Sequence, residues 1–212
     1  MAFDPELGVE ADGIILRSER GRVQCELSAP RPAERRSLGV TLLQGASKGD
    51  RLEQVMRAGT ALGVSRVVVV LTERSVAQPS DMRRERLRAI ALEAARQCGR
   101  GDVPELSGPT PLALALDELS GIPALKLCLS PFSTRPLATQ IRNWVMGEPV
   151  QLLVGPEGGL SESELLLAAN AGFADAALGP YTLRTELAAL AALACFAGSL
   201  PSGPDALSSD VG

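Results

Sequence analysis

The 212-residue chain contains no histidine. That absence excludes Ser-His-Asp and Cys-His nucleophilic centres within the chain, and any zinc site with a histidine ligand. Chemistry here must use carboxylates, arginine, lysine, tyrosine, backbone groups or a reactive cofactor. Cysteine is sparse and scattered. Cys25, Cys98, Cys128 and Cys195 form no C-x-x-C pair, so neither a zinc ribbon nor a thioredoxin-type motif is supported. No metal is expected, and such cysteines fit the core of a reduced, cytoplasmic protein. Apolar runs fall short of the roughly 18 residues that mark a membrane span. The start, Met1-Ala2-Phe3-Asp4-Pro5-Glu6, has neither the basic nor the apolar region of a signal peptide. No membrane association is expected. Aromatic residues make up only 3% of the chain, which leaves the core to Leu, Ala, Val and Ile. A chain of this length can bury enough aliphatic surface to fold without staples.

Lysine is also scarce, since arginine supplies 19 of the 21 basic residues. The net charge of −4 is unevenly spread. Residues 1–100 carry 17 basic and 13 acidic side chains, net +4, whereas residues 101–212 carry 4 and 12, net −8. A basic front half suits a polyanionic partner, and arginine suits bidentate phosphate contact. The same distribution also fits biased composition on solvated faces.

Strand and helix patterns alternate along most of the chain. Residues 13–17 and 22–27 read as short strands around a turn, and the Pro/Arg-rich stretch 29–36 reads as a linker. Strands are expected at 38–43, 66–71, 123–129, 150–154 and 174–178. The run 66–71 is nearly all β-branched, as in a strand buried on both faces. Helices are expected at 50–62, from Ser80 or Asp81 to Cys98, and at 111–119, 136–145, 162–171 and 185–198. Thr110-Pro111 and Thr185 are the expected caps of the third and last of these, and Gly172 closes the fifth. The tail 201–212, rich in Ser, Gly, Pro and Asp, is expected to be disordered. The alternation implies an α/β domain with a mostly parallel sheet, whose ligands bind beyond the carboxyl ends of the strands.

Two strand-to-helix loops stand out. In the first, Gln151-Leu152-Leu153-Val154 runs into Gly155-Pro156-Glu157-Gly158-Gly159 and then into the capping box formed by Ser161 and Glu164. Three glycines in five residues let backbone approach a ligand closely. The pattern is neither the dinucleotide G-x-G-x-x-G nor the P-loop, so NAD and ATP are not supported. By itself the turn also fits a tight connection with no ligand. In the second, Leu178-Gly179-Pro180-Tyr181-Thr182-Leu183 leads to Arg184-Thr185-Glu186, where a carboxylate suits the positive end of a helix. A surface Arg/Glu pair would look the same. A third segment, the helix ending at Cys98, carries Arg86, Glu93, Gln97 and then Arg100 on one side at spacings of seven, four and three.

Together these segments resemble the ribosomal RNA small subunit methyltransferase E family, the uracil-N3 methyltransferases of the SPOUT (trefoil-knot) superfamily. The loop 155–161 is similar to that family's signature, and Leu178-Gly179 with Leu183-Arg184-Thr185-Glu186 to its second. Lys48-Gly49-Asp50, Leu62-Gly63-Val64, Glu73-Arg74-Ser75, Gln97, Arg100 and Val103-Pro104 fit upstream, so the resemblance covers roughly residues 10–200. Leu187 stands where the family usually has Thr, and Ala61 where it usually has Glu. The stretch before Leu38 is shorter than the family's N-terminal RNA-binding barrel.

The resemblance implies a partial PUA-like β domain with its linker over residues 1–36, and a SPOUT methyltransferase domain with a deep C-terminal trefoil knot over 37–200. It implies S-adenosyl-L-methionine as cofactor, held by Leu129, Ser130, Gly155, Pro156, Glu157, Gly158, Gly159, Leu178, Gly179 and Leu183. It implies small-subunit ribosomal RNA as substrate, with Arg86, Gln97 and Arg100 on the RNA side. Methylating uracil N3 requires loss of its proton. Arg184 or Arg100 would steady the developing oxyanion, and Glu157 or Glu186 would accept the proton. A homodimer is implied, with the helical stretch 188–197 as part of its contact. Three other readings remain open: a ribose 2′-O-methyltransferase of the same superfamily, a non-catalytic RNA-binding relative, and an unrelated doubly wound nucleotide-binding protein.

Overall fold

The structure is a computed structural model that describes residues 2–33, 37–75, 81–145 and 147–199, with residues 81–83 described by backbone alone. The expected cap at Ser80, the side chain of Asp81, part of the linker 29–36 and the expected disordered tail lie outside what is described.

Six strands form one sheet in the order β11-β9-β10-β6-β7-β8. They are β6 (Val40–Gly45), β7 (Arg66–Leu71), β8 (Glu105–Pro111), β9 (Leu125–Leu129), β10 (Val150–Val154) and β11 (Ala174–Ala176). All five pairings are parallel. The sequence order is interleaved. After β9 the chain places β10 between β9 and β6, and then returns to the outside of β9 for β11.

Alternation along the strands builds two cores. Leu42, Val67, Val69, Leu127 and Leu152 point to one face, where they meet α1 (Arg51–Ala61), α2 (Asp81–Cys98), α4 (Leu137–Ile141) and α6 (Thr185–Gly198). Leu43, Val68, Val70, Cys128 and Leu153 point to the other, against α3 (Leu112–Ser120) and α5 (Glu162–Asn170). The buried β-branched run 67–70 serves both layers, as its composition predicts. Replacing a fully buried Leu42 or Leu152 by Ala is expected to cost about 2–5 kcal/mol.

Several boundaries differ from the expectations, each for a local reason. β8 is not foreseen in its Gly/Pro-rich sequence, but it is an edge strand, where prolines do not break a central ladder. It takes Pro111, so α3 begins at Leu112 with Pro111 rather than Thr110 as its cap. α4 ends at Ile141, and Trp144 beyond it packs edge-on against Phe196 of α6, with centroids 5.3 Å apart. Arg184, not Thr185, is the N-cap of α6, and Thr185 is its first helical residue. Gly172 does follow the C-cap of α5 with φ +89°, and donates to the Ala169 carbonyl.

The alanine-rich face of α6 differs most. Ala189, Ala192, Leu193 and Phe196 are fully buried within the chain's own core, against α1, α4, β6 and β10. That face is therefore closed to a partner.

The N-terminal part carries a three-stranded antiparallel sheet of β1 (Ala2–Asp4), β2 (Val9–Ala11) and β5 (Arg31–Pro32), and a hairpin of β3 (Gly13–Glu19) with β4 (Arg22–Leu27). β5 falls inside the expected linker. Arg31 ties it to β2, with ion pairs to Glu10 at 2.9 Å and to Asp12 at 2.7 Å. The hairpin is exposed along its whole length, including Ile14, Ile15, Leu16 and Val23. Among the described residues no helix is long and apolar enough to cross a membrane.

Candidate active site

A cavity of about 680 Å³ opens at the carboxyl ends of the strands, within the range typical of small-molecule sites. Its walls come from the loops after β9, β10 and β11, with arginines from the segments after β6 and β7.

The first loop is tied to the end of β11. Ser130 N–H donates to the Ala176 carbonyl at 2.9 Å, Ala177 N–H to Arg135 at 2.8 Å, and Leu137 N–H to Ala177 at 2.8 Å.

The second loop is held from several sides. β6 passes directly beneath it, and Gly45 makes that approach possible. A Cβ at residue 45 would stand 2.3 Å from Pro156 N and 2.7 Å from Gly155 C. Above, Arg74 Nη1 donates to the Gly158 carbonyl at 2.9 Å. At the far end the capping box is complete. Ser161 Oγ accepts from Glu164 N–H at 3.3 Å, and Glu164 Oε2 accepts from Ser161 N–H at 2.9 Å. Glu164 is buried, and its other oxygen accepts from Glu73 N–H at 2.8 Å. One carboxylate thus fixes both the start of α5 and the Arg74 loop.

The third loop ends on α6. Thr185 Oγ1 donates to the Gly155 carbonyl and accepts from the buried Gln44 Nε2 at 2.8 Å. Arg184 lies on the cavity wall, exposed, with no ion pair or side-chain hydrogen bond among the described residues. Arg51 also lines the cavity and is paired with Glu157 from the second loop.

Leu129, Ser130, Gly155, Pro156, Glu157, Gly158, Gly159, Leu178, Gly179 and Leu183, drawn from three separate segments, all line this one cavity. A family model for the RNA methyltransferase domain matches residues 34–197. The chain is 32% identical over 158 residues to a ribosomal RNA small subunit methyltransferase E from Synechocystis sp., covering 74% of this chain and 52% of the relative. The chain therefore spans about half the length of that relative. It is 30% identical to the Neisseria gonorrhoeae ribosomal RNA small subunit methyltransferase E solved with S-adenosyl methionine, with a TM-score of 0.75 over 91% of this chain and 79% of that one. A Legionella pneumophila methyltransferase structure with bound cofactor is 31% identical, with a TM-score of 0.77 over 93% of this chain and 81% of that one.

The chain belongs to the ribosomal RNA small subunit methyltransferase E family.

The remaining family-implied residues do not share the cavity. Glu186, second in α6, is buried behind the wall, its Oε2 3.5 Å from Arg51 Nε and without a hydrogen-bond donor among the described residues. Arg100 is 3% exposed, and its guanidinium is fully engaged. It chelates Asp102 at 2.7 and 2.9 Å and donates to the Thr60 carbonyl at 3.0 Å. Arg100 thus fastens α1 to the end of α2 instead of facing the cavity. Arg86 and Gln97 are exposed on α2, and Arg86 pairs with Glu53 of α1 at 2.9 Å. The two departures from the family pattern, Ala61 and Leu187, are both exposed and line no part of the cavity.

Sequence reading singled out the glycine loops but not Arg51, Phe132 or Tyr181 as wall residues. Arg51 follows the quoted Lys48-Gly49-Asp50, and Arg74 lies within the quoted Glu73-Arg74-Ser75. Those short polar motifs after strand ends were the available signal.

Proposed function

We propose that the chain is an S-adenosylmethionine-dependent methyltransferase acting on N3 of a uridine in small-subunit ribosomal RNA. The carrying observation is the convergence of ten family-implied cofactor residues on one cavity in a member of this family. The cavity suits the cofactor chemically. Leu129, Leu160, Leu178, Leu183 and Ala188 offer apolar wall for an adenine ring, and the 155–159 loop offers backbone groups for polar edges. A Cβ at Gly159 or Gly179 would meet nothing within 4 Å, so the lining leaves open space there.

The cofactor, when bound, supplies an electrophilic methyl group. The chain's own residues orient the uracil and manage charge. Transfer of that methyl from the cofactor's sulfur to N3 would release the N3 proton to Glu157 on the wall, directly or through water, or to Glu186 behind it. Arg184, unpaired among the described residues, steadies the negative charge on the uracil oxygens. Arg86 and Gln97, exposed on α2, contact RNA. Two copies act as a dimer, using surface that α6 leaves open at Leu187 and Ala194. The interleaving of β9, β10 and β11 supports the trefoil passage implied by the family.

The test is single-turnover methyl transfer to small ribosomal subunits, followed by nucleoside mass spectrometry. N3-methyluridine is expected, with the rate reduced by about 10²-fold or more in Arg184→Ala at unchanged cofactor affinity. Methyl on ribose would favour a 2′-O-methyltransferase. Cofactor binding without transfer would favour a non-catalytic relative.

A further inference from the structure

Arg51 stands where three chain segments meet. It is the first residue of α1, Glu157 lies in the loop after β10, and Glu186 is the second residue of α6. Arg51 Nη1 donates to Glu157 Oε1 and also to the Lys48 carbonyl at 3.1 Å. Lys48 N–H donates to the same Glu157 oxygen at 3.2 Å, so that oxygen receives two donors from one turn. On its other side Arg51 Nε lies 3.5 Å from Glu186 Oε2, a buried oxygen with no hydrogen-bond donor among the described residues. Among the described residues Arg51 is the one cation within ion-pair distance of either carboxylate.

Two carboxylates drawn to one guanidinium repel each other, and burial leaves the charge on Glu186 poorly solvated. A planar guanidinium can engage both edges at once, which an ammonium cannot. We propose that Arg51 is a positioning residue for the cofactor: by bridging Glu157 and Glu186 it sets the distance between the 155–159 loop and the start of α6. The role rests on the cofactor assignment made above. It goes beyond that assignment in naming a side chain outside both signature loops that, together with the Thr185–Gly155 bond, fixes their spacing.

Calorimetric titration of S-adenosylhomocysteine into the full chain tests this with a double-mutant cycle. Arg51→Met and Glu157→Gln should each weaken binding by about tenfold, and the double variant should be no weaker than Arg51→Met alone. Arg51→Lys should recover part of the loss, since it restores charge but not the bridge. Such non-additivity with partial rescue is not expected from general loss of packing. Wild-type affinity in Arg51→Met, or a double variant weakened by the product of the two single effects, would overturn the bridge. If Arg51→Met does not fold, Arg51→Lys takes its place in the same cycle and is read the same way. Absence of any binding by the unmodified chain would overturn the cofactor assignment, and the role of Arg51 with it.

Discussion

Thr185 Oγ1 donates to the Gly155 carbonyl at 2.5 Å, linking the first residue of α6 to the first residue of the glycine loop. The same hydroxyl accepts from Gln44 Nε2, so the ends of β6 and β10 and the start of α6 share one oxygen. Gln44 is 1% exposed, and its own Oε1 has no hydrogen-bond partner among the described residues.

Removing that hydroxyl should therefore be costly. Thr185→Val leaves the Gly155 carbonyl without this donor and Gln44 Nε2 without its best acceptor. Urea unfolding should show a loss of about 1–3 kcal/mol, with weaker S-adenosylhomocysteine binding. Thr185→Ser keeps the hydroxyl and should retain most of both. Equal stability of the valine and serine variants would show that the junction contributes nothing.

Gly45→Ala places a Cβ where the backbone of Pro156 lies. Backbone cannot give way as a side-chain tip does, so the loop must shift. The expected effects are a stability loss of roughly 1–3 kcal/mol and loss of cofactor binding. Gly121→Ala is the control, since a Cβ there meets nothing within 4 Å. It should lie within about 0.5 kcal/mol of the unmodified chain.

Arg100→Ala should act on stability, not on chemistry. It removes a buried guanidinium and leaves Asp102 and the Thr60 carbonyl unpaired, at an expected cost of about 3 kcal/mol. Below its unfolding temperature, the single-turnover rate with bound cofactor should match that of the unmodified chain. A rate loss like that of Arg184→Ala would return Arg100 to the reacting centre.

Of the four cysteines expected in the core, Cys128 alone is buried, and Cys25, Cys98 and Cys195 are exposed. Burial, and secondarily the Asp175 carboxylate, push the Cys128 thiol from its ordinary 9.0 up to about 12. The folded chain then keeps a proton that the unfolded chain releases above pH 9. Stability from this group is complete below pH 9 and declines as pH rises towards 12, by at most about 1.4 kcal/mol per pH unit. Cys128→Ala should flatten that part of the alkaline decline. At pH 8, Ellman's reagent should modify Cys25, Cys98 and Cys195, which are exposed, and reach Cys128 only on unfolding.

Legibility in the sequence followed locality. The capping box of Ser161 and Glu164, the turn at Gly172 and the buried run 67–70 were readable because each is decided by neighbours a few residues away. β8 was hidden because its Gly and Pro residues are tolerated only at a sheet edge, and the sequence does not announce which strand is the edge. Arg100 and Glu186 illustrate the same limit within the site. Both sit at positions a motif marks, yet Asp102, Thr60 and Arg51 determine where their charges point. The glycine loops were legible as loops. That they enclose one cavity follows from the placement of β10 between β9 and β6, which no local pattern encodes.

That placement also bears on the order of folding. Two of the neighbouring strand pairs beneath the cavity, β11 beside β9 and β10 beside β6, are not consecutive in the chain, and the last wall residue, Ala188, lies in the last described helix. The contacts that close the site are thus long-range ones, whose loop-closure entropy must be met before they stabilise anything. A nascent chain still short of Thr185 has the Gly155 loop but not the hydroxyl that pins it. Ligand-binding competence should consequently arise as the final step of folding, later than the secondary structure that surrounds it.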